Sequence, residues 1–145
     1  MKNIILMMSM VMVLLASCTI SENAVKYVEA RNYFHRNDAP LPQNLKMTSQ
    51  AEFDQHFSPA AFMGKNGEPT KINFNKNFII AKVLPPTDKE TELTPLKVEK
   101  IGKNQLHVVY SLHVGPTRSY TIQPMFILVL NKKYKNYNIE DVEEK

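Results

Sequence analysis

Two apolar runs set the first limit on what this chain can fold into. Phe78-Ile79-Ile80-Ala81-Lys82-Val83-Leu84 and Met125-Phe126-Ile127-Leu128-Val129-Leu130 carry apolar side chains at nearly every position. Successive residues of a strand point to opposite faces, so each run, once extended, is apolar on both. Such strands need cover on both sides of their sheet. Pro85-Pro86 stops the first run, and Pro124 stands directly before the second.

The remaining elements read around these two. Leu106 to Val114 alternates cleanly, with Leu106, Val108, Tyr110, Leu112 and Val114 on one face. Gly102-Lys103-Asn104 reads as the hairpin loop before it. Gly115-Pro116-Thr117-Arg118-Ser119 reads as a loop after it, followed by a strand from Tyr120. Pro95 cannot donate to a ladder, so the stretch from Glu92 to Ile101 is an interrupted or edge strand. A short final strand is expected over Tyr137–Val142. Ser49-Gln50-Ala51-Glu52 has the form of a capping box, with Phe53 and Phe57 one turn apart behind it. Ser58-Pro59 restarts a helical pattern, and Gly64 suits a left-handed stop. These signals predict a helix over 50–63, kinked at Ser58-Pro59, with His56 exposed opposite the Phe stripe. Tyr33 to Asp38 is a short extended piece leading to a Pro-fixed loop at Pro40 and Pro42, and Lys65–Thr70 is a turn-rich connector. The fold class is therefore α+β, with one N-terminal helix packed on a curled antiparallel sheet of about five strands and Tyr33–Leu45 as added cover.

The chain opens differently. Met1-Lys2-Asn3 is a short basic start, and Ile4 to Ala16 is apolar over about 13 residues, too short to span a bilayer. Leu15-Ala16-Ser17-Cys18 follows, and Cys18 is the single cysteine among 145 residues. Leu15 argues against ordinary cleavage after small residues. Leu-Ala-Ser-Cys instead resembles the bacterial lipobox, which implies that residues 1–17 are a signal peptide and that Cys18 becomes the acylated first residue. Acyl chains at about 0.8 kcal/mol per buried CH₂ hold such a protein on a membrane. Thr19, where Asp would favour inner-membrane retention in enteric lipoproteins, points to the outer membrane of the cell envelope. The domain expectation is a signal peptide over 1–17, a lipidated tether over 18–30 and one α+β domain over 31–145.

That assignment also narrows the chemistry. With Cys18 acylated, neither a disulfide nor a cysteine nucleophile remains. No Gly-x-Ser-x-Gly motif occurs. His107 and His113 share a strand face but stand about 20 Å apart, too far to bind one ion. No cofactor or metal site is expected. Whether His35, Asp38 and His56 form a site is left open by their spacing. The net charge of +4 is mild, and Lys and Glu alternate in the second half, so nucleic acid is not an expected partner. The Gly115–Tyr120 segment joins a stiff turn to a cation and an aromatic, residue types favoured at interfaces. Thr117, Arg118 and Tyr120 are the candidate partner-binding residues, with an envelope protein as the expected partner.

Gly67-Glu68-Pro69-Thr70, then Ile72 to Ile80, and later Ser119-Tyr120-Thr121-Ile122-Gln123-Pro124 carry a resemblance. The chain resembles small lipoproteins of Bacteroides-type bacteria. Over about residues 48–133 it is distantly similar to the protease-complex-associated PrcB-like C-terminal domain, with Asn73 where that pattern has Asp. The resemblance implies a protein-binding accessory or inhibitor-like role and transfers no catalytic residue. The expectation is a membrane-anchored, non-enzymatic envelope lipoprotein that binds another protein. The alternatives are a structural or assembly lipoprotein acting by position, and, third, a hydrolase.

Overall fold

The computed structural model describes residues 22–42 and 46–145. Along the chain come β1 (Tyr27–Glu29), β2 (Tyr33–His35), β3 (Lys46–Met47), α1 (Gln50–His56), β4 (Phe57–Pro59), β5 (Asn77–Val83), β6 (Thr87–Ile101), β7 (Gln105–Ile122), β8 (Met125–Asn131), a 3-10 turn (Lys132–Tyr134) and β9 (Asn138–Glu143). The two apolar runs are β5 and β8. They pair antiparallel, Phe78 opposite Leu130 and Val83 opposite Met125, at the centre of a sheet ordered β1-β8-β5-β3.

Both faces of that pair are covered, as their composition requires. Phe78, Ile80, Phe126, Leu128 and Leu130 point into one core, shared with Val98, Leu106, Val108 and Tyr110 of a second sheet. Ile79, Ala81, Val83, Ile127 and Val129 point into another, shared with Met47, Phe53 and Phe57. Burying each such aliphatic or aromatic side chain contributes about 1.5–3 kcal/mol. The body is thus layered, with a helix and a two-stranded sheet (β2-β4), a four-stranded sheet and a three-stranded sheet. It is not one curled sheet of about five strands.

The second sheet is ordered β6-β7-β9. β6 and β7 are antiparallel, with an irregularity at Pro95, where the missing N–H breaks the ladder. β7 and β9 are parallel. Parallel neighbours need a long crossover, and here the crossover passes through β8 in the other sheet. Lys82 and Asp141 form an ion pair between the sheets, and the Lys82 ammonium lies 4.6 Å from the centre of the Tyr110 ring. Burial alone would pull the Lys82 pKa down; Asp141 and Tyr110 outweigh it and hold it above its ordinary value.

Several expectations are corrected. The helix is central in the chain rather than N-terminal, preceded among the described residues by three strands. Its capping box forms as read, with Ser49 accepting from the Glu52 amide and Glu52 reaching back. It ends at His56, however, and does not kink onward to 63. Phe57 is already extended, because β4 pairs with β2, His35 opposite Phe57 and Tyr33 opposite Pro59. Phe53 and Phe57 still stack, with ring centres 5.0 Å apart. The expected tether over 18–30 is part of the body from Asn23 onward. The Val25 amide donates to Val98 at 2.8 Å and Lys100 donates to Asn23 at 2.8 Å. β1 then pairs with β8, so this segment stitches the two sheets together. The signal-peptide region and Cys18 lie outside the described residues. Among the described residues no helix is long and apolar enough to cross a membrane.

Candidate functional site

The two sheets are joined at a corner. β5 leaves the first sheet at Val83 and, after Leu84-Pro85-Pro86, enters the second as β6; β7 returns through Gln123-Pro124 into β8. Prolines in both connectors remove ladder donors and let the ribbon bend. Leu84 donates to the Pro124 carbonyl at 2.9 Å and holds the corner shut.

Beyond the corner, the ribbon is irregular on the β7 side. Thr87 pairs with Ile122 and Lys89 with Thr117. One residue of β6, Asp88, therefore stands opposite Arg118, Ser119, Tyr120 and Thr121. A further shift sets Glu90 opposite Gly115 and Pro116. At Gly115 an added Cβ would lie 3.3 Å from the Glu90 carbonyl oxygen, so glycine permits the close approach. The expected loop over 115–119 is thus not a loop. It is an expanded bulge inside a continuous strand, Gln105–Ile122. Bulges of this kind aim side chains away from the sheet.

Thr117, Arg118 and Tyr120 are all exposed there, Tyr120 at 58%. Arg118 is not a free cation, because it pairs across the ribbon with Glu90. Next to the bulge is an apolar cleft of about 340 Å³, walled by Leu84, Pro85, Pro86, Leu112, Val114 and Pro124. Val114 is 49% exposed at its rim. β9 accompanies β7 only over Gln105–Tyr110, and the N-terminal segment meets β6 only near Val98–Lys100. Among the described residues, the Thr87–Leu96 and Ser111–Ile122 parts of the ribbon have only each other as strand partners.

A second constellation was only half visible in the sequence. His35 and His56 stack with ring centres 6.1 Å apart and planes at 29°. His35 is 5% exposed and its Nε2 lies 3.3 Å from the Pro40 carbonyl oxygen. Burial pushes the His35 pKa down; the Pro40 carbonyl opposes this and the charge on His56 adds to it. The expectation of an exposed His56 is corrected, since its Nδ1 is buried without a hydrogen-bond partner. Asp38 does not join the histidines. It is held by Arg36 through two hydrogen bonds of 3.0 and 2.8 Å. His56 borders a cleft of about 430 Å³ under Pro40-Leu41-Pro42 that also meets Glu52 and Gln55. Among the described residues no group of three metal-ligating side chains forms. His107 pairs with Glu140 at 3.2 Å, while His113 is exposed further along β7.

Gly115-Pro116 carries the local signal for the bulge, although its turn chemistry by itself predicts a loop. The histidine pair gave no local signal, because it depends on β2 meeting β4. Comparison with protein-family models, with curated proteins and with solved structures returned no match.

Proposed function

We propose that this is a lipid-anchored binding protein of the bacterial cell envelope, acylated at Cys18, that captures an extended segment of another protein at the corner of its sandwich. The role is one of binding rather than catalysis. The observation that carries it is a strand edge, Ser111–Val114, that has no partner among the described residues and lies beside an apolar cleft and an expanded bulge. An incoming strand can add to such an edge through main-chain hydrogen bonds and place alternate side chains in the cleft. The β6 edge is less suited, because Asp88, Lys89, Glu90 and Glu92 blunt it with charge. Thr117, Arg118 and Tyr120 flank the docking segment, with Tyr120 as the aromatic anchor. The resemblance to the PrcB-like domain favours a protease-associated partner.

A photo-crosslinking residue at Tyr120, compared with one at Val28 on β1, tests this in cells. A discrete adduct from position 120 and none from position 28 is expected. The Arg118→Ala, Tyr120→Ala chain, crosslinked instead from Val114, should lose about tenfold or more of that adduct. Full retention of the adduct sinks the assignment of the bulge.

A further inference from the structure

We propose that the opposite end of the sandwich, where the chain enters, rests on an anionic lipid surface and keeps the corner pointing outward. This deepens the preceding reading and rests on Cys18 being acylated. Among the described residues, Asn23 is the first bonded into the body, through Lys100. From Cys18 to Asn23 a fully extended chain spans about 18 Å. The body is therefore held within about two Debye lengths of the headgroups at physiological salt, instead of standing off on a long tether.

The surface at that end suits such contact. The β6–β7 turn, Gly102-Lys103-Asn104, projects beside Asn23, with Lys100 and a 40%-exposed Ile101 at its start. The Asn138 amide donates to the Asn104 carbonyl at 2.8 Å, which brings the 132–137 turn alongside. Lys133 and Lys135 are exposed there, and Tyr134 and Tyr137 pack edge to face at 5.5 Å. Tyr134 and Tyr137 are half-buried against the core, so the contact falls to the exposed lysines over an anionic surface, with Ile101 as the one aliphatic at headgroup depth, which matches the chemistry of a membrane interface. Of the acidic groups nearby, Glu99 is paired with Lys97 at 3.1 Å, Glu140 accepts from Gln105 beside His107 and is exposed, and Glu22 is exposed; the lysines outnumber them at this end. The corner lies beyond the far end of β5, whose seven residues alone cover about 20 Å.

The test uses the full chain, produced in a lipoprotein-processing bacterium and reconstituted in vesicles of phosphatidylglycerol and phosphatidylcholine carrying nitroxide-labelled acyl chains. A bimane fluorophore is placed at Lys103→Cys or, separately, at Ser119→Cys. The mass of the N-terminal peptide from the same sample reports acylation of Cys18. With Cys18 acylated, emission at position 103 should fall about twofold or more and emission at 119 should stay unchanged. The Lys100→Glu, Lys133→Glu, Lys135→Glu chain should lose that quenching while remaining acylated and folded by circular dichroism. Acylated protein with equal quenching at both positions, or quenching that survives the charge reversal, overturns the seating and leaves the anchor standing. An unmodified Cys18 overturns both.

Discussion

At the scale of single residues, His35 shows how position outweighs residue type. Tyr33-Phe34-His35 reads as a short extended piece, and β2 places the imidazole between His56, Phe57 and the Pro40 carbonyl. Burial lowers its pKa from the ordinary 6.5. The folded chain thus holds fewer protons than the unfolded chain between the two values, and folding is favoured by high pH. The contribution is present in full above 6.5 and is lost as pH falls through the lowered value. The groups facing it are His56, the Pro40 carbonyl and, farther out, the Arg36–Asp38 pair. Urea midpoints measured from about pH 7 down to about pH 5 should fall, and the His35→Gln chain should lose most of that slope. A slope retained in His35→Gln would place the titrating group elsewhere.

Among the elements, α1 is the one whose beginning was legible and whose end was not. The capping box depends on residues three apart, so Ser49 and Glu52 announce it locally. The end at His56 is decided by a distant partner. β2 offers a ladder to Phe57-Ser58-Pro59, which outcompetes the helical restart that Ser58-Pro59 suggests. Ser49→Ala should cost about 1 kcal/mol in chemical denaturation, because it leaves the Glu52 amide without its acceptor. Ser49→Asp should restore most of that stability; if Ser49→Ala costs nothing, the cap is not stabilising the helix. The same competition explains the 115–119 segment. Its Gly-Pro chemistry is that of a turn, but β6 lies alongside, and the ribbon absorbs the irregularity as a bulge.

For the whole molecule, the Lys82–Asp141 pair links the central sheet to β9 in the second. Lys82 is the one charged position within the two apolar runs, and its side chain is largely buried. Asp141→Ala leaves that ammonium buried without its counter-ion and should cost about 1–3 kcal/mol. Lys82→Met keeps the volume, removes the charge and should cost less than about 1 kcal/mol. Urea denaturation of both variants checks the order, and equal losses would show that the pair acts only as packing.

What the sequence determined by itself was local or periodic. Two runs rich in β-branched and aromatic residues and apolar on both faces, bounded by prolines, read as central strands that need cover on both sides. The β7 alternation, the Gly102 turn, the Pro95 interruption and the helix cap rest on the same short-range chemistry. The tertiary structure decided what depends on partners far apart in the chain. It drew Asn23–Ala30 into the sheets, closed β9 in parallel beside β7, and brought His35 to His56. It also left the corner ribbon without strand partners among the described residues. Each of these is a pairing between segments whose own residues fit several surroundings, and only the whole set of competing ladders and cores selects one.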